Sequence, residues 1–426
     1  MTEQSSIPKA PTRQIFEGLK VCDFTWVGVG PQIGRELAEH GATVIRFESH
    51  RRPDSLRYAF PYRDFIPGVD RSAFGMAYNT QKFSLSVDLS MPRGIEIAKR
   101  AIMWADVVGE SFAAGSMKKL GLDYDTVVQW NPDIIYYSTC QMGQYGPHST
   151  YGAYGMFGVA IGGFSQVTGY QDQPPNLLFN NHSDFIAPFY IITSVVAALL
   201  YRKRTGKGMY IDAGQAECGA TFLSPSILDY LANGRIAERT GNRDPYHAPC
   251  GAFPCRGLDR WISIEVTSDE EWRAFCAAVG HPEWRDDPRF ATLPARKQNE
   301  DELEALIADW TGDYTDYQVM AMMQEAGVPA GVVQTCEDLF ADPQLKERQH
   351  YRFLEHKVIG TMAFNAPAYQ LSKTPNYIWK SAPCLGEDNE YVFKDVLGYS
   401  DDDIADLLID GTITTEADVG EFKSLL

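Results

Sequence analysis

Hydrophobic and polar positions change period twice within the first fifty residues. Leu19–Phe24 is an apolar run of strand length, the next stretch carries its apolar residues at helical spacing up to His40, and Thr43–Phe47 is strand-like again. A glycine-bearing loop, Trp26–Pro31, leads into the helix, and His40-Gly41 ends it. This βαβ unit predicts a parallel sheet with right-handed crossovers. The rhythm then repeats. Phe83–Ser90 alternates as a strand, Pro92–Ala105 is an amphipathic helix opened by proline, and DVVGES and DIIYYSTC are short buried strands flanking a helix and turn in MKKLGLDYDTVVQWNP.

The apolar run Phe185–Tyr201 predicts a long buried helix. Ser183 is placed as its N-cap and Asp184 in its first turn, Pro188 lies early enough to be tolerated, and Arg202, Lys203 and Arg204 before Gly206 and Gly208 match its C-terminal dipole. MYIDAGQAECGATFL returns to strand and then helix. Residues 15–225 therefore read as the first part of a doubly wound, Rossmann-like α/β domain. A different texture follows. Residues 235–335 read as a small α+β domain with a strand centred on Ile264, a Ser268–Glu271 capping box and amphipathic helices at Asp301–Trp310 and Asp316–Ala326. Residues 345–426, strand-like pieces followed by a pair of acidic helices, are expected to return to the large domain.

Composition narrows the partners. The 426 residues carry 38 basic and 56 acidic side chains, a net charge of −18, which argues against nucleic acid and anionic membranes while leaving small anions open. Eight cysteines are dispersed without a CxxC, and Cys250 and Cys255 have no second pair or histidines at zinc-site spacing, so no metal is expected and the thiols read as reduced and mostly buried. The N-terminus has no apolar signal core, and Phe185–Tyr201, at 17 residues, falls short of the roughly 20 that a bilayer requires. A cytoplasmic protein is expected.

Asp184 is the most informative polar residue. At a helix N-terminus its anion is favoured by about 0.3–1 kcal/mol where exposed. It is either a helix-capping residue or a carboxylate nucleophile at the rim of a core element. Other chemistry falls on loops at predicted strand ends, where open α/β sheets bind ligands. Arg46, Arg51 and Arg52 form either a phosphate site or a solvated basic loop. Lys82 is a phosphate contact or an ordinary edge lysine. Gly28, Gly30 and Gly34 give GxGxxxG rather than the dinucleotide pattern GxGxxG, which argues against NAD. Tyr151, Tyr154, Met156 and Phe157 line an apolar pocket or fill core, and His182 either tunes Asp184 or lies on a surface loop. No Ser-His-Asp elbow, HExxH or P-loop is present.

Taken together, DFTWVGVGP (Asp23 to Pro31), VIRFES, NTQKFSLSVDL, ADVVGESFAAGSMKKLGLDY, NPDIIYYS, GQYGP, RKRTGKG, PCRGLDRWISI, GVPAGVV and LGEDN resemble the family III CoA-transferases over almost the whole chain. The resemblance implies a catalytic aspartate, matched by Asp184, which forms a mixed anhydride and then an aspartyl-CoA thioester. It implies no permanently bound cofactor: coenzyme A enters as acyl-CoA substrate. Val27, Val29, Lys82, Ser111 and Phe112 match CoA contacts, and Cys140, which opens the loop Cys140–Gly146 at a predicted strand end, is expected to join them. Gly28 stands where formyl-CoA transferases have glutamine and Ser49 where they have arginine, a role that Arg51 or Arg52 can take over. Gly28, Tyr151, Tyr154 and His182 are the residues expected around the acyl group.

The racemases of the same family require a histidine where Ala153 or Tyr154 stands here, so CoA transfer is the expected activity and racemisation the alternative. A non-catalytic CoA-binding subunit is a third reading. The aromatic residues at 151–157 resemble the branch that acts on aryl-substituted or dicarboxylic acids. The family's interlocked dimer is expected, as a homodimer or with a paralogous subunit.

Overall fold

The computed structural model describes residues 12–152, 154–176, 182–415 and 418. Six strands form one sheet: β1 (Lys20–Phe24), β2 (Thr43–Glu48), β3 (Phe83–Ser86), β4 (Val107–Glu110), β5 (Ile135–Cys140) and β6 (Met209–Gly214). Their order is β3-β2-β1-β4-β5-β6 and every pair is parallel. The chain thus runs outward from β1 to one edge and then crosses to β4, so the order reverses between β1 and β4. In open α/β sheets, the crevice at such a reversal is where ligands bind.

Alternation along the strands sorts side chains onto two faces. Val21, Val44, Val107, Ile135 and Tyr137 face one core, where the helix Val29–Glu39 buries Ile33 and Leu37 and the helix His182–Thr205 buries Ala187, Ile191, Val195 and Ala198. Cys22, Ile45, Leu85, Val108 and Tyr136 face the other, against Ile97, Ala101 and Ile102 of the helix Pro92–Trp104 and against Val392, Phe393 and Leu407. Helices on both faces make this the expected doubly wound α/β sheet. The helix His182–Thr205 is long and apolar enough to cross a membrane, but one of its faces is seated on the sheet.

Three local expectations change. The long helix begins at His182, so Ser183 lies inside its first turn instead of capping it. The strand read as Phe83–Ser90 ends at Ser86, because Val87 bridges to Ile413 and the Asp88 N–H donates to the Thr412 carbonyl. Ser268 accepts from the Glu271 N–H, but Glu271 returns its carboxylate to the Thr267 N–H (2.7 Å) instead of closing a capping box on Ser268.

Two compact units emerge. The first comprises residues 1–164, 177–228 and 347–426 and contains the six-stranded sheet. Its C-terminal part is tied to the edge strand: the Asp388 carboxylate accepts from the Ser84 N–H (2.8 Å) and the Asn389 side-chain oxygen from the Ser86 N–H (3.0 Å). The second comprises residues 165–176 and 229–346. It holds an antiparallel sheet of Cys250–Cys255, Arg260–Glu265 and Ala330–Val332 over a core that includes Trp272, Phe275, Leu303 and Met323. Buried Arg296 stacks on Trp272 (4.8 Å) there while donating to the Ala248 carbonyl (2.7 Å). All eight cysteines are free thiols; Cys22, Cys255, Cys276 and Cys384 are buried, and Cys336 is exposed.

Candidate functional site

The loop leaving β1 is held from several sides. Asp23, at the strand end, accepts from the Thr25 N–H (2.9 Å) and Thr25 hydroxyl and pairs with Lys82 (2.8 Å). Ser111, just after β4, clamps the next residue: its hydroxyl accepts from the Trp26 N–H (2.8 Å) and donates to the Trp26 carbonyl (2.9 Å). Phe112 packs edge-on to the Trp26 ring at 5.1 Å. The two loops of the sheet's reversal point are thereby fastened together. Val27 then adopts φ 65°, a left-handed conformation uncommon for a β-branched residue, and its N–H donates to the Asp54 carboxylate at 3.0 and 3.2 Å. Gly28 follows with an ordinary φ of −92° and opens the helix Val29–Glu39.

Asp184 faces this turn. A methyl group at Gly28 would lie 3.7 Å from Asp184 Oδ2, so the glycine leaves the space in front of the carboxyl open. Gln32 ties the two elements together, its Nε2 donating to the Gly28 carbonyl and the Asp184 carbonyl, both at 3.1 Å. Two helix N-termini, at Gly28 and His182, therefore flank one carboxyl group, and first-turn N–H groups have no partner within their own helix.

Only 8% of Asp184 is exposed, and its Oδ1 has no hydrogen-bond partner. Burial pushes its carboxyl up to about 7 from 3.8. The sequence predicted an anion favoured by the helix terminus, but that effect is ~0.3–1 kcal/mol, whereas each pKa unit is worth about 1.4 kcal/mol. Desolvation wins. Tyr78 lies on the same side: its ring centroid is 6.5 Å from that of Phe185, and burial, with the Asp184 charge opposing ionisation, pushes its phenol up to about 12.

Several expected site residues take other roles. Lys82 is neither a phosphate contact nor an edge lysine. It is fully buried, with its ammonium donating to Asp23, the Pro31 carbonyl (2.8 Å) and Asn79 (3.0 Å). Arg46 is also internal, paired with Glu48 (2.9 Å) and Asp54 (2.5 Å). Both side chains are buried, and the three N–H donors of Lys82 are all engaged in the interior, which leaves that ammonium none to offer a ligand. The Val29 side chain is 4% exposed and packs in the sheet-face core, which leaves its backbone alone at the site. Arg51 is exposed and pairs with Asp88 at 3.0 Å. Cys140, half-buried at the end of β5, has its thiol pushed up to about 11 by burial.

Tyr151, Tyr154 and Met156 are exposed rather than core, and Phe157 is half-buried at 6.1 Å from Tyr151. Ala153 lies outside the described residues. His182 is exposed, edge-on to Phe164 at 5.3 Å. The structure thus brings Val27, Gly28 and Asp184 together, with Ser111 and Phe112 supporting the loop. Sequence reading missed Gln32, Asp54 and Tyr78. Gln32 lies four residues after Gly28, a spacing that carries a signal; the other two carry none. Among the described residues no group of His, Cys, Asp and Glu is arranged to hold a metal ion.

Comparison with known proteins converges on one family. The family model described as CoA-transferase family III matches residues 16–389. A succinyl-CoA--D-citramalate CoA-transferase of Chloroflexus aurantiacus is 33% identical over 390 residues, covering 92% of this chain and 96% of the relative. A succinate--glutarate CoA-transferase of Agrobacterium fabrum is 30% identical over 385 residues, covering 89% and 95%. The crystal structure of a CAIB/BAIF family protein from Brucella suis superposes with a TM-score of 0.83 at 29% identity, covering 90% of this chain and all of that one. The chain therefore belongs to CoA-transferase family III and is an enzyme of the CoA-transferase type.

Proposed function

We propose that this enzyme moves CoA from a donor such as succinyl-CoA to a dicarboxylic or aryl-substituted acid, with Asp184 as the covalent nucleophile. The observation that carries the reading is the buried carboxyl of Asp184, whose Oδ1 has no partner and whose Oδ2 faces Gly28 across open space. In its ionised form the carboxylate attacks the thioester carbonyl of the donor, the C–S bond breaks, and CoA leaves as thiolate from a mixed anhydride. The thiolate attacks the Asp184 carbonyl carbon, releasing the donor acid and leaving an aspartyl-CoA thioester. The acceptor carboxylate then attacks that thioester, regenerating an anhydride and thiolate. Attack of the thiolate on the acceptor's acyl carbon yields the new acyl-CoA and frees Asp184.

Burial supports this chemistry, because a site closed to water spares both activated intermediates from hydrolysis. The unpaired first-turn N–H groups near Gly28 suit the oxyanion of each tetrahedral intermediate. Relatives named for succinyl-CoA with citramalate or glutarate support succinyl-CoA as donor and a small dicarboxylate as acceptor. The apolar stripe left exposed on the long helix, with Phe185, Phe189, Leu200 and Tyr201, supports a dimer that covers it. Initial rates with succinyl-CoA and a panel of dicarboxylic and aryl acids test the reading. Parallel double-reciprocal lines are expected; solvent deuterium entering the α-carbon without any acceptor acid would indicate the racemase reaction instead.

A further inference from the structure

We infer that Asp54 is a positioning residue that holds the Val27 turn in its left-handed form, and so fixes where Gly28 sits relative to the Asp184 carboxyl. The inference rests on the function proposed above. A residue needed only to cap the short helical turn Ser55–Tyr58 would need only the bond from the Leu56 N–H, which Asp54 Oδ1 accepts at 3.0 Å. Asp54 does more. Its carboxylate accepts the Val27 N–H through both oxygens (3.2 and 3.0 Å), and Oδ2 also takes the Arg46 guanidinium at 2.5 Å. Arg46 in turn donates to the Thr25 carbonyl (2.9 Å), so both sides of Trp26 are referred to the same buried pair.

The anchor itself is internal: Asp54 and Arg46 are each 1% exposed, and Glu48 accepts from the Asp54 N–H at 3.1 Å and from Arg57 at 2.8 Å. A β-branched residue at φ 65° persists only where its surroundings over-determine it. Asp54 is the group that does so here. Without it Val27 relaxes to negative φ, and the helix start that carries Gly28 is released from its position beside Asp184.

Glycine adopts positive φ without penalty, which yields a test that a merely structural role does not pass. Formation of the Asp184 adduct from succinyl-CoA is timed by intact mass in the wild type, Asp54→Ala, Val27→Gly and the double variant, with thermal unfolding as the folding control. Asp54→Ala slows the adduct about tenfold or more with Val27 present, and several-fold less in the Val27→Gly background. Equal losses in both backgrounds would overturn the inference. If the wild type forms no adduct, it is the functional reading that fails. The clamp is then judged by hydrogen exchange of residues 25–32: Asp54→Ala accelerates it if the clamp holds, and unchanged exchange overturns it.

Discussion

At Asp184 two opposing influences meet, and their sizes decide the chemistry. Burial raises the carboxyl to about 7, so the anion that the proposed attack requires becomes the majority form only above neutrality. The rate of adduct formation is therefore expected to rise with pH through about 7, and a rate flat from pH 5 to 8 would contradict the assignment. The stability consequence has the opposite sign to that of an ordinary paired carboxylate. Folded Asp184 retains a proton that the unfolded chain releases near 3.8, so its contribution to stability falls as pH rises from that value to about 7. Asp184→Asn should abolish adduct formation while gaining stability on the wild type between pH 5 and 8, as read from paired unfolding curves. Lys82 gives the contrasting case. Its pairing with Asp23 has no exposure on either side, so Lys82→Met strands a buried carboxylate and is expected to cost roughly 3–5 kcal/mol, measurable by denaturant titration. Asp184 was legible as a candidate from its place at a helix start, but the internal role of Lys82 was not: it meets a partner 59 positions away, and a chain pattern records the charge but not the partner.

The elements were far more legible than the residues within them. The inner strands β1, β2, β4 and β5 were visible as largely apolar runs because both of their faces are buried, the edge strand β3 was visible by its alternation, and the helix His182–Thr205 because its apolar run exceeds any strand. What escaped was the use of small residues between elements. A methyl at Gly30 would stand 2.3 Å from the Thr25 side chain, so that glycine serves close packing of the helix Val29–Glu39 on the loop after β1. Gly30→Ala is accordingly expected to destabilise, with a lowered unfolding midpoint. Gly28 is different: its φ of −92° suits any residue and its nearest neighbour is the Asp184 carboxyl. Gly28→Leu is expected to keep the fold and to lower kcat/KM at least tenfold by filling the acyl space, with circular dichroism and initial rates as the paired measurements.

For the whole molecule, the reversal of strand order explains why the site lies where it does. Loops after β1 and β4 diverge at that point, Ser111 fastens them together, and the long helix delivers Asp184 beside the opened turn. The same helix presents Phe189, 71% exposed, on the side away from the sheet. A dimer by light scattering is expected, and Phe189→Glu should shift it toward monomer. The central claim, that Asp184 carries the acyl and CoA groups covalently, is tested most directly by intact-mass analysis after incubation with succinyl-CoA and trapping with hydroxylamine or borohydride. The account predicts a modification that maps to Asp184 and is absent from Asp184→Ala. An unmodified wild type that still transfers CoA, or an adduct that survives in Asp184→Ala, would contradict it.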